Sequence, residues 1–508
     1  MTNVLYDRLL GRHAGSKAPF LYQPDGTILD YGQFVDRVAQ FSCAVRTAGL
    51  EPGDRLALQV DKSPDALALI FGCIQAGIVF LPLNTGYTAD EIAYFVENSG
   101  ARLLVCDPAR ADALTPVALA AGAAIQTLGP DGQGTLPALA DTLPPAFQTQ
   151  PRGPDDLAAF LYTSGTTGRS KGAMLTQDNL LSNALTLVDH WRFTDKDVLL
   201  HALPIFHTHG LFVATNVILA AGASMVFFPK LDPRALLDWM PRATTLMGVP
   251  TFYTRLLDEP GFDRAACASM RLFISGSAPL LAETHRQFET RTGHRILERY
   301  GMTETNMNTS NPYDGERRAG TVGLPLPGVQ VKVCDDQGNE LPRGEIGVLE
   351  VRGPNVFKGY WQMPEKTAEE LRANGFFITG DLATQGADGY VTIVGRGKDL
   401  IISGGYNIYP KEIESLLDDQ PGVLESAVIG VPHPDFGESP VAVLVAEKGA
   451  APDLSQIEAA ITKALARFKH PKRIFVVDAL PRNTMGKVQK NVLRETYQSL
   501  FTGAAPSG

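Results

Sequence analysis

The sequence predicts a multidomain α/β protein, with a large N-terminal region followed by a small α+β unit. Three observations predict it. Helical and strand patterns alternate through the first 300 residues, the segment after about residue 320 is rich in strands, and the composition shifts again at GRGKDLIISGGYNIYPKEIE, 395–414. A chain of 508 residues also exceeds what one compact core usually supports, which favours two or more domains.

The N-terminal third alternates amphipathic helices with apolar strands. Phe34, Val38, Phe41 and Val45 recur at helical spacing before Gly49, and RLALQV is predicted as the next strand. Two further helix–strand pairs follow, DALALIFGCIQAG with IVFLPL and ADEIAYFVENSG with ARLLVCD. This alternation predicts a mostly parallel sheet covered by helices on both faces.

The stretch 230–300 repeats this alternation and predicts a second α/β half, with strands TTLMGV, MRLFISG and RILERYG. Beyond it, VQVKVCDDQGNELPRGEIGVLEVRG has the alternation and turns of antiparallel strands. The last unit is predicted to contain helix PKEIESLLDD and strands ESAVIGV and VAVLVAE. A second helix in this unit is predicted to carry Ile457, Ile461, Leu465 and Phe468 on one face.

Composition excludes several classes of function. The net charge of −10 argues against general nucleic-acid binding, and five scattered cysteines without a CxxC pair indicate a reducing compartment and no structural zinc. The N-terminus lacks the apolar segment of a secretion signal. The apolar stretch 210–229 is predicted as a helix to about residue 220, a turn at Ala221-Gly222 and a strand. We therefore expect a cytoplasmic protein without a membrane span.

The segment LYTSGTTGRSKGAM, 161–174, is too polar and too rich in Gly and Thr for a core. It follows an apolar run that is predicted as a buried strand. Its glycine amides, hydroxyls and Lys171 are the groups that wrap a polyphosphate. The spacing differs from the common P-loop, Gly-x-x-x-x-Gly-Lys-Ser/Thr. A surface linker is the alternative from composition.

Five other stretches combine residue types that carry chemistry: PIFHTHG (204–210), RYGMTETN (299–306), ITGD (378–381), the segment 395–414 and PRNTMGKVQK (481–490). ITGD is predicted to place Asp381 on a strand-ending turn. Each stretch also has a structural interpretation. The histidines can cap a loop, a lysine can be solvated, and paired glycines can form a plain turn.

Taken together and in this order, the motifs YTSGTTGRSKG, YGMTET, ITGD, GRGKDLIISGGYNIYPKEIE and PRNTMGKVQK resemble those of the acyl-adenylate-forming enzymes. That superfamily includes acyl-CoA synthetases, luciferases and the adenylation domains of peptide synthetases. Within it, ALPIFHTHGLFVATN and ERYGMTETNMNTSNPYDGERR are most similar to the malonyl-CoA synthetase branch. The resemblance covers nearly the whole chain.

The resemblance implies a ligase that uses ATP, Mg²⁺ and coenzyme A. The acid and ATP would give acyl-AMP and pyrophosphate, and the CoA thiol would then give acyl-CoA and AMP. It also implies an N-terminal domain, residues 1–397, and a C-terminal domain, residues 398–508, that rotates about a hinge at Lys398. The rotated state would bring Gly404 and Gly405 to the tunnel that receives the pantetheine arm of CoA.

Residue roles follow from the same resemblance. The catalytic candidates are Lys487, His207 and Glu304, with Glu304 and Thr167 as Mg²⁺ ligands. Asp381 offers two acceptor oxygens to the ribose hydroxyls, Tyr300 would stack on adenine, and the stretch Ser275–Pro279 would line the other face. The full predicted nucleotide site is Thr163, Ser164, Gly165, Thr166, Thr167, Gly168, Lys171, Ser277, Ala278, Pro279, Arg299, Tyr300, Gly301, Met302, Thr303, Asp381, Arg396 and Lys487.

Arg299 is the residue that points to a particular acid. An unpaired guanidinium is costly in the apolar pocket of a fatty or aryl acid, whereas a second substrate carboxylate would pair with it bidentately. His209 and Ser277 would add hydrogen bonds. These residues predict malonate as substrate, with methylmalonate close behind because an extra methyl is weakly discriminated. The alternative is an ion pair between Arg299 and Glu298, or another acid, that points away from the substrate.

Three other functions stay open at this stage. One is a ligase for a different acid, such as oxalate or a medium-chain fatty acid, and another is an adenylation enzyme that loads a carrier protein. The third is a nucleotide-binding sensor without turnover. A lysine acetyltransferase acting on Lys487 is a candidate partner, since acetylation of this lysine switches off relatives. The sequence leaves the oligomeric state open.

Overall fold

The computed structural model describes residues 2–163, 170–404, 406–483 and 486–501. Within these ranges the strands form four sheets. Two are large sheets of mainly parallel strands, as the alternating pattern predicts. The other two, toward the C-terminus, are small and mainly antiparallel. The fold class predicted from the sequence is therefore confirmed.

The first sheet has six strands, and its helices cover both faces. In spatial order the strands are Ala124–Thr127, Leu103–Cys106, Arg55–Gln59, Val79–Pro82, Leu157–Thr163 and Lys171–Thr176. The first five run parallel, and the last returns antiparallel after the Gly/Thr-rich loop. Four neighbouring strands of this sheet are buried along most of their length, as expected for a sheet covered on both sides. They are Leu103–Cys106, Arg55–Gln59, Val79–Pro82 and Leu157–Thr163.

The second sheet has nine strands. In spatial order they are Leu324–Pro325, Asn306–Ser310, Leu297–Met302, Leu272–Ser275, Thr245–Gly248, Val198–His201, Ser224–Phe227, Pro19–Tyr22 and Ile28–Asp30. Its central strands are parallel and its two edges are antiparallel. The two large sheets share one continuous hydrophobic core.

The third sheet consists of Gln330–Cys334, Gly347–Arg352, Phe377–Gln385 and Val391–Arg396, all antiparallel. The fourth lies after the predicted hinge and consists of Tyr406–Ile408, Ile401–Ser403, Gly437–Ala446 and Val423–His433, with Arg473–Val477 added in parallel. This last sheet has hydrophobic clusters of its own on its two faces.

The helices predicted around residues 34–45, 65–77, 89–100 and 410–419 are present close to those positions, and further helices are added. Side-chain caps fix several N-termini, including capping boxes at Asp30 and Thr88. The helices are Val4–Leu9, Tyr31–Thr47, Pro64–Ala76, Ala89–Ser99, Ala111–Ala120, Thr135–Asp141, Gln177–His190, Asn216–Ala221, Pro233–Trp239, Pro250–Leu257, Ala282–Thr292, Pro364–Glu370, Pro410–Asp418, Leu454–Ala464 and Lys490–Tyr497.

The apolar stretch 210–229 folds as predicted. A π-helical segment, His209–Thr215, continues into Asn216–Ala221, Gly222 turns the chain with φ of +74°, and Ser224–Phe227 is a strand. Among the described residues, no helix is long and apolar enough to cross a bilayer.

Two local predictions are wrong. The helix that carries Ile457 and Ile461 ends at Ala464, so Leu465 lies just beyond it. Phe468 lies in a separate 3₁₀ turn and is partly exposed, stacked on Tyr406. Asp381 lies inside the strand Phe377–Gln385 and pairs in register with Arg396, because the Gly380 turn expected from ITGD is absorbed into the strand. In both cases tertiary packing decided the local structure.

Candidate active site

The predicted site residues gather where parallel strands of the two large sheets end. Thr163 ends one strand, and His207 and His209 follow Val198–His201. Ser277 follows Leu272–Ser275, and Glu304 follows Leu297–Met302. Open α/β sheets bind their ligands at such carboxyl edges. The position of the candidate site therefore follows from the topology.

The Gly/Thr-rich loop is anchored at both ends. Thr163 and Lys171 face each other in register across two antiparallel strands. The Thr163 hydroxyl donates to Oε1 of Glu304 at 3.2 Å. Lys171 was predicted to lie within the loop, but it is the first residue of the returning strand and is buried. The predicted ligands Ser164, Gly165, Thr166, Thr167 and Gly168 lie outside the described residues.

Glu304 lies in the tight connection of a β-hairpin, with Gly301, Met302 and Thr303 just before it. An ideal Cβ on Gly301 would fall 1.8 Å from the carbonyl oxygen of Asn306, so the hairpin closes only around a glycine. The Glu304 side chain is 4% exposed, and burial raises its pKa above the ordinary range. Oε1 accepts from Tyr360 Oη at 3.0 Å as well as from Thr163.

A buried carboxylate of this kind fits Mg²⁺. The ion binds proteins through one or two carboxylates and takes its remaining ligands from phosphates and water. The described residues hold no cluster of three or more metal-ligating side chains. Of the two predicted Mg²⁺ ligands, Glu304 is described and could supply a carboxylate oxygen, whereas Thr167 lies outside the described residues.

Arg299 is buried, and no carboxylate pairs with it in the part of the chain that the structure describes. Its side chain lies on the strand Leu297–Met302, the residue is 4% exposed, and its Nε and Nη2 have no hydrogen-bond partner among the described residues. Burial lowers its pKa to about 9, which leaves the guanidinium charged at neutral pH. The alternative of an ion pair with Glu298 is wrong, because Glu298 faces His285 at 3.7 Å. An unpaired buried cation is costly unless a ligand supplies the anion.

Two histidines line the space beside Arg299. His209 Nδ1 lies 3.2 Å from Ser277 Oγ, and its Nε2 is buried without a partner in the described chain. Burial and then the charge of Arg299 lower the pKa of both His207 and His209, that of His207 to about 4. Both rings are therefore neutral at neutral pH. Ser277 has φ of +73°, a strained backbone conformation of the sort that clusters at functional sites.

Asp381, Tyr300 and Arg396 form a second polar cluster, on strands of two different sheets. Asp381 Oδ1 accepts from Arg396 Nε at 2.7 Å, and the Tyr300 hydroxyl donates to Asp381 Oδ2. Arg396 also donates to the carbonyl of Thr379 at 3.3 Å. The structure thus brings together three residues predicted to contact the nucleoside. Ala278 and Pro279 follow Ser277 in the loop after the neighbouring strand.

Lys487 of the C-terminal unit faces this cluster. It follows Gly486, whose φ is +74°, and an ideal Cβ on Gly486 would lie 3.5 Å from Oγ1 of Thr251 at the start of helix Pro250–Leu257. The Lys487 side chain is exposed to solvent, but protein atoms packed around it partly desolvate the ammonium and so lower its pKa. The charge of Arg396 lowers it further, and Asp381 acts in the opposite sense. Lys487 and Asp381, 106 positions apart in the chain, therefore lie close enough for their charges to interact.

Lys398 lies in a 3₁₀ turn, Gly397–Asp399, that joins the third sheet to the fourth. Gly404 is exposed in the turn after Ile401–Ser403 and has φ of +56°, while Gly405 lies outside the described residues.

The sequence interpretation missed two residues of the site. Tyr360 contacts Glu304, and Glu370 contacts Lys171. Neither lies in a motif that signals phosphate chemistry.

Comparison with known proteins gives a consistent result. The family model "AMP-binding enzyme" matches residues 11–361, and "AMP-binding enzyme C-terminal domain" matches residues 412–487. A crystal structure of ATP-bound MatB from Rhodopseudomonas palustris is 57% identical, with a TM-score of 0.96 over 99% of this chain and 100% of that one.

Two curated relatives are more distant. A feruloyl-CoA synthase of an Amycolatopsis species is 38% identical over 93% of this chain and 94% of that protein. A malonate–CoA ligase of Arabidopsis thaliana is 35% identical over 88% of this chain and 78% of that protein. The chain belongs to the AMP-binding enzyme family.

Proposed function

We propose that this protein is an ATP- and CoA-dependent ligase that activates malonate, and also methylmalonate, through an acyl-AMP intermediate. In the first step a carboxylate oxygen attacks the α-phosphorus of ATP, the bond to the β-phosphate oxygen breaks, and pyrophosphate leaves. In the second step the CoA sulfur attacks the acyl carbon, its proton is lost, and AMP leaves. The observation that carries the choice of malonate is the unpaired, buried guanidinium of Arg299.

The substrate role of Arg299 is supported by the chemistry around it. A guanidinium binds a carboxylate through two parallel hydrogen bonds, and the free Nε and Nη2 of Arg299 are a suitable pair of donors. His209, whose Nδ1 lies 3.2 Å from Ser277 Oγ, would complete the contacts to the distal carboxylate together with Ser277. Neutral histidines donate one proton without adding a second positive charge to the pocket.

The reacting carboxylate and the α-phosphate are both anions, so bringing them together needs fixed positive groups. Lys487 is the group that would contact both, because its ammonium is a compact charge in the cleft beside Asp381 and Arg396. Asp381 suits the ribose hydroxyls and Arg396 a ribose or phosphate oxygen. Tyr300 would contribute its ring face to adenine, and His207 would lie near the reacting carboxylate.

The phosphates would lie along the loop between Thr163 and Lys171. Glu304 would hold Mg²⁺ there, and bound Mg²⁺ would neutralise charge on the departing pyrophosphate. Thr163 would keep the Glu304 carboxylate oriented through its hydroxyl. The roles of Ser164, Gly165, Thr166, Thr167 and Gly168 stay predictions.

The proposal includes a rotation of residues 398–508 relative to residues 1–397 between the two steps. With Lys487 in the cleft, the C-terminal unit covers one side of the site, so CoA needs another arrangement. Lys398 is proposed as the hinge. Neighbouring Asp399 is held by Arg494 at 2.5 Å, a contact within the C-terminal unit. Gly404 and Gly405 are proposed to line the pantetheine path after rotation.

A second candidate, a ligase for an aryl acid, is favoured by the feruloyl-CoA synthase relative. The buried charge of Arg299 argues against it, because a feruloyl group would leave that charge unpaired. Acetylation of Lys487 by a lysine acetyltransferase stays a prediction, consistent with its exposed side chain.

The direct test of the reaction is to follow products from purified protein, ATP, Mg²⁺, CoA and malonate. AMP and malonyl-CoA in equal amounts, identified by mass spectrometry, would support the proposal. ADP as the nucleotide product, or thioester formation from ferulate in preference to malonate, would overturn it.

A further inference from the structure

The ammonium of Lys171 is already bound to a carboxylate. Its Nζ lies 3.1 Å from both oxygens of Glu370, which ends the helix Pro364–Glu370, and 4.1 Å from the ring centroid of Tyr360. The Lys171 side chain is 9% exposed and that of Glu370 is 22% exposed. The two charged groups of this bidentate pair are therefore well shielded from water. Lys171 and Glu370 are 199 positions apart in the chain.

A carboxylate at this place conflicts with the role of Lys171 in the proposed function. The lysine ends the loop that would hold the β- and γ-phosphates, and a polyphosphate needs the same ammonium that Glu370 occupies. Two anions on one shielded cation repel each other. Binding of ATP and retention of the Glu370 contact are therefore competing states of Lys171.

The Glu370 carboxylate has other partners to bind when phosphates occupy Lys171. Lys366, one helical turn earlier, lies 3.0 Å from Glu370 Oε1. The Tyr360 hydroxyl lies 2.6 Å from Glu370 Oε2 and 3.0 Å from Glu304 Oε1. One hydroxyl proton can serve one carboxylate at a time, so Tyr360 links the state of Glu370 to Glu304.

We infer that Glu370 is a positioning residue that binds Lys171 as an internal substitute for phosphate. ATP phosphates exchange with the carboxylate on entry, Glu370 remains with Lys366, and Glu370 returns to Lys171 as pyrophosphate departs. Glu370 thereby weakens the binding of both ATP and pyrophosphate and favours product release. The inference rests on the proposed function for the role of Lys171 as a phosphate ligand.

The test compares Glu370→Gln with Glu369→Gln. Glu369 is exposed on the same helical turn and bonds Lys366 at 2.8 Å, so its substitution removes an equal charge without touching Lys171. Calorimetric titration with Mg·ATP, without any acid, should show binding three- to tenfold tighter for Glu370→Gln, roughly the effect of removing a modest competitor. Glu369→Gln should match the wild type. Pyrophosphate should become a correspondingly stronger inhibitor of Glu370→Gln, with the KM for the acid unchanged.

If Glu370 has a purely structural role, Glu370→Gln should lower the melting temperature and leave ATP binding unchanged or weaker. Unchanged or weaker ATP binding would overturn the inference. In a Lys171→Ala background, Glu370→Gln should no longer tighten ATP binding; tightening that persists there would also overturn it. Because the titration contains no acid, it reports the effect of Glu370 on ATP affinity even if malonate proves not to be the substrate. Failure of the malonate assay is thus distinguishable from failure of this inference.

Discussion

The guanidinium of Arg299 lies against the α-carbon of Gly276, so closely that a methyl group there would overlap it. An ideal Cβ on Gly276 falls 2.3 Å from Cζ and 2.4 Å from Nη1 of Arg299. The two residues belong to neighbouring strands or their ends, Leu297–Met302 and Leu272–Ser275. The missing side chain at position 276 therefore allows the buried cation to reach its place beside the two histidines.

We predict that Gly276→Ala displaces Arg299 and selectively impairs use of malonate. Overpacking of this kind costs about 1–3 kcal/mol of folding stability, and moving the guanidinium away from the distal carboxylate should lower kcat/KM for malonate. The KM for ATP should change little. Gly153→Ala is the matched control, because a Cβ there meets Asp156 Oδ2 at an ordinary 3.8 Å. Steady-state kinetics that are the same for the two variants would contradict the account.

The lowered pKa of His207 predicts a pH dependence of stability. The ring is held neutral in the folded protein, with a pKa of about 4 against 6.5 for the ordinary group, because of burial and the charge of Arg299. Between these values the unfolded chain binds more protons, so the stabilising contribution is complete above pH 6.5 and is lost as the pH falls toward 4.

The melting temperature of wild type should accordingly fall more steeply between about pH 6.5 and 4 than that of His207→Asn, which lacks this proton uptake on unfolding. Differential scanning calorimetry of both proteins across this range measures the effect. A constant difference between the two melting temperatures would show that His207 does not titrate in this way.

We predict that Lys487→Ala separates the two half-reactions. Loss of a charge that stabilises the adenylation transition state should reduce acyl-AMP formation by roughly 100- to 1,000-fold. Conversion of supplied malonyl-AMP and CoA to malonyl-CoA should be largely retained. Lys448→Ala, at an exposed position of the same C-terminal unit, is the control and should leave both steps unchanged. Equal losses in both half-reactions would remove Lys487 from the adenylation step.

The fold was predictable because its signals are local. Alternating helices and buried strands define the two large sheets, and the change of pattern after residue 320 marks the smaller ones. Phe468 was misassigned because helical spacing continued past Ala464 in sequence while the chain turned away. Asp381 was misassigned because pairing with Arg396 across an antiparallel ladder outweighed the turn preference of glycine.

Several predicted site residues come together in the structure, while their functional roles stay predictions. The resemblance to acyl-adenylate-forming enzymes singled out Glu304, Asp381 and Lys487, and the cost of a buried cation singled out Arg299. Their partners are set by tertiary contacts that no spacing encodes, such as Lys171 with Glu370. Equally, the sequence identified Arg299 as a cation but left an ion pair with Glu298 open, and only burial and the orphaned Nε and Nη2 decided against it.

The central claim, that Arg299 recognises a second carboxylate, is tested most directly by a cycle that removes each partner in turn. The kcat/KM for malonate and for propionate, which carries a methyl group in place of that carboxylate, is measured for wild type and for Arg299→Ala. Arg295→Ala, which removes a surface ion pair with Glu289, is the control.

Truncating one partner of a buried charge pair costs about 2–5 kcal/mol, or roughly 30- to 5,000-fold. We therefore predict that wild type and Arg295→Ala prefer malonate over propionate by at least roughly 30-fold in kcat/KM. Arg299→Ala should abolish this preference. An unchanged ratio of malonate to propionate in Arg299→Ala would contradict the account.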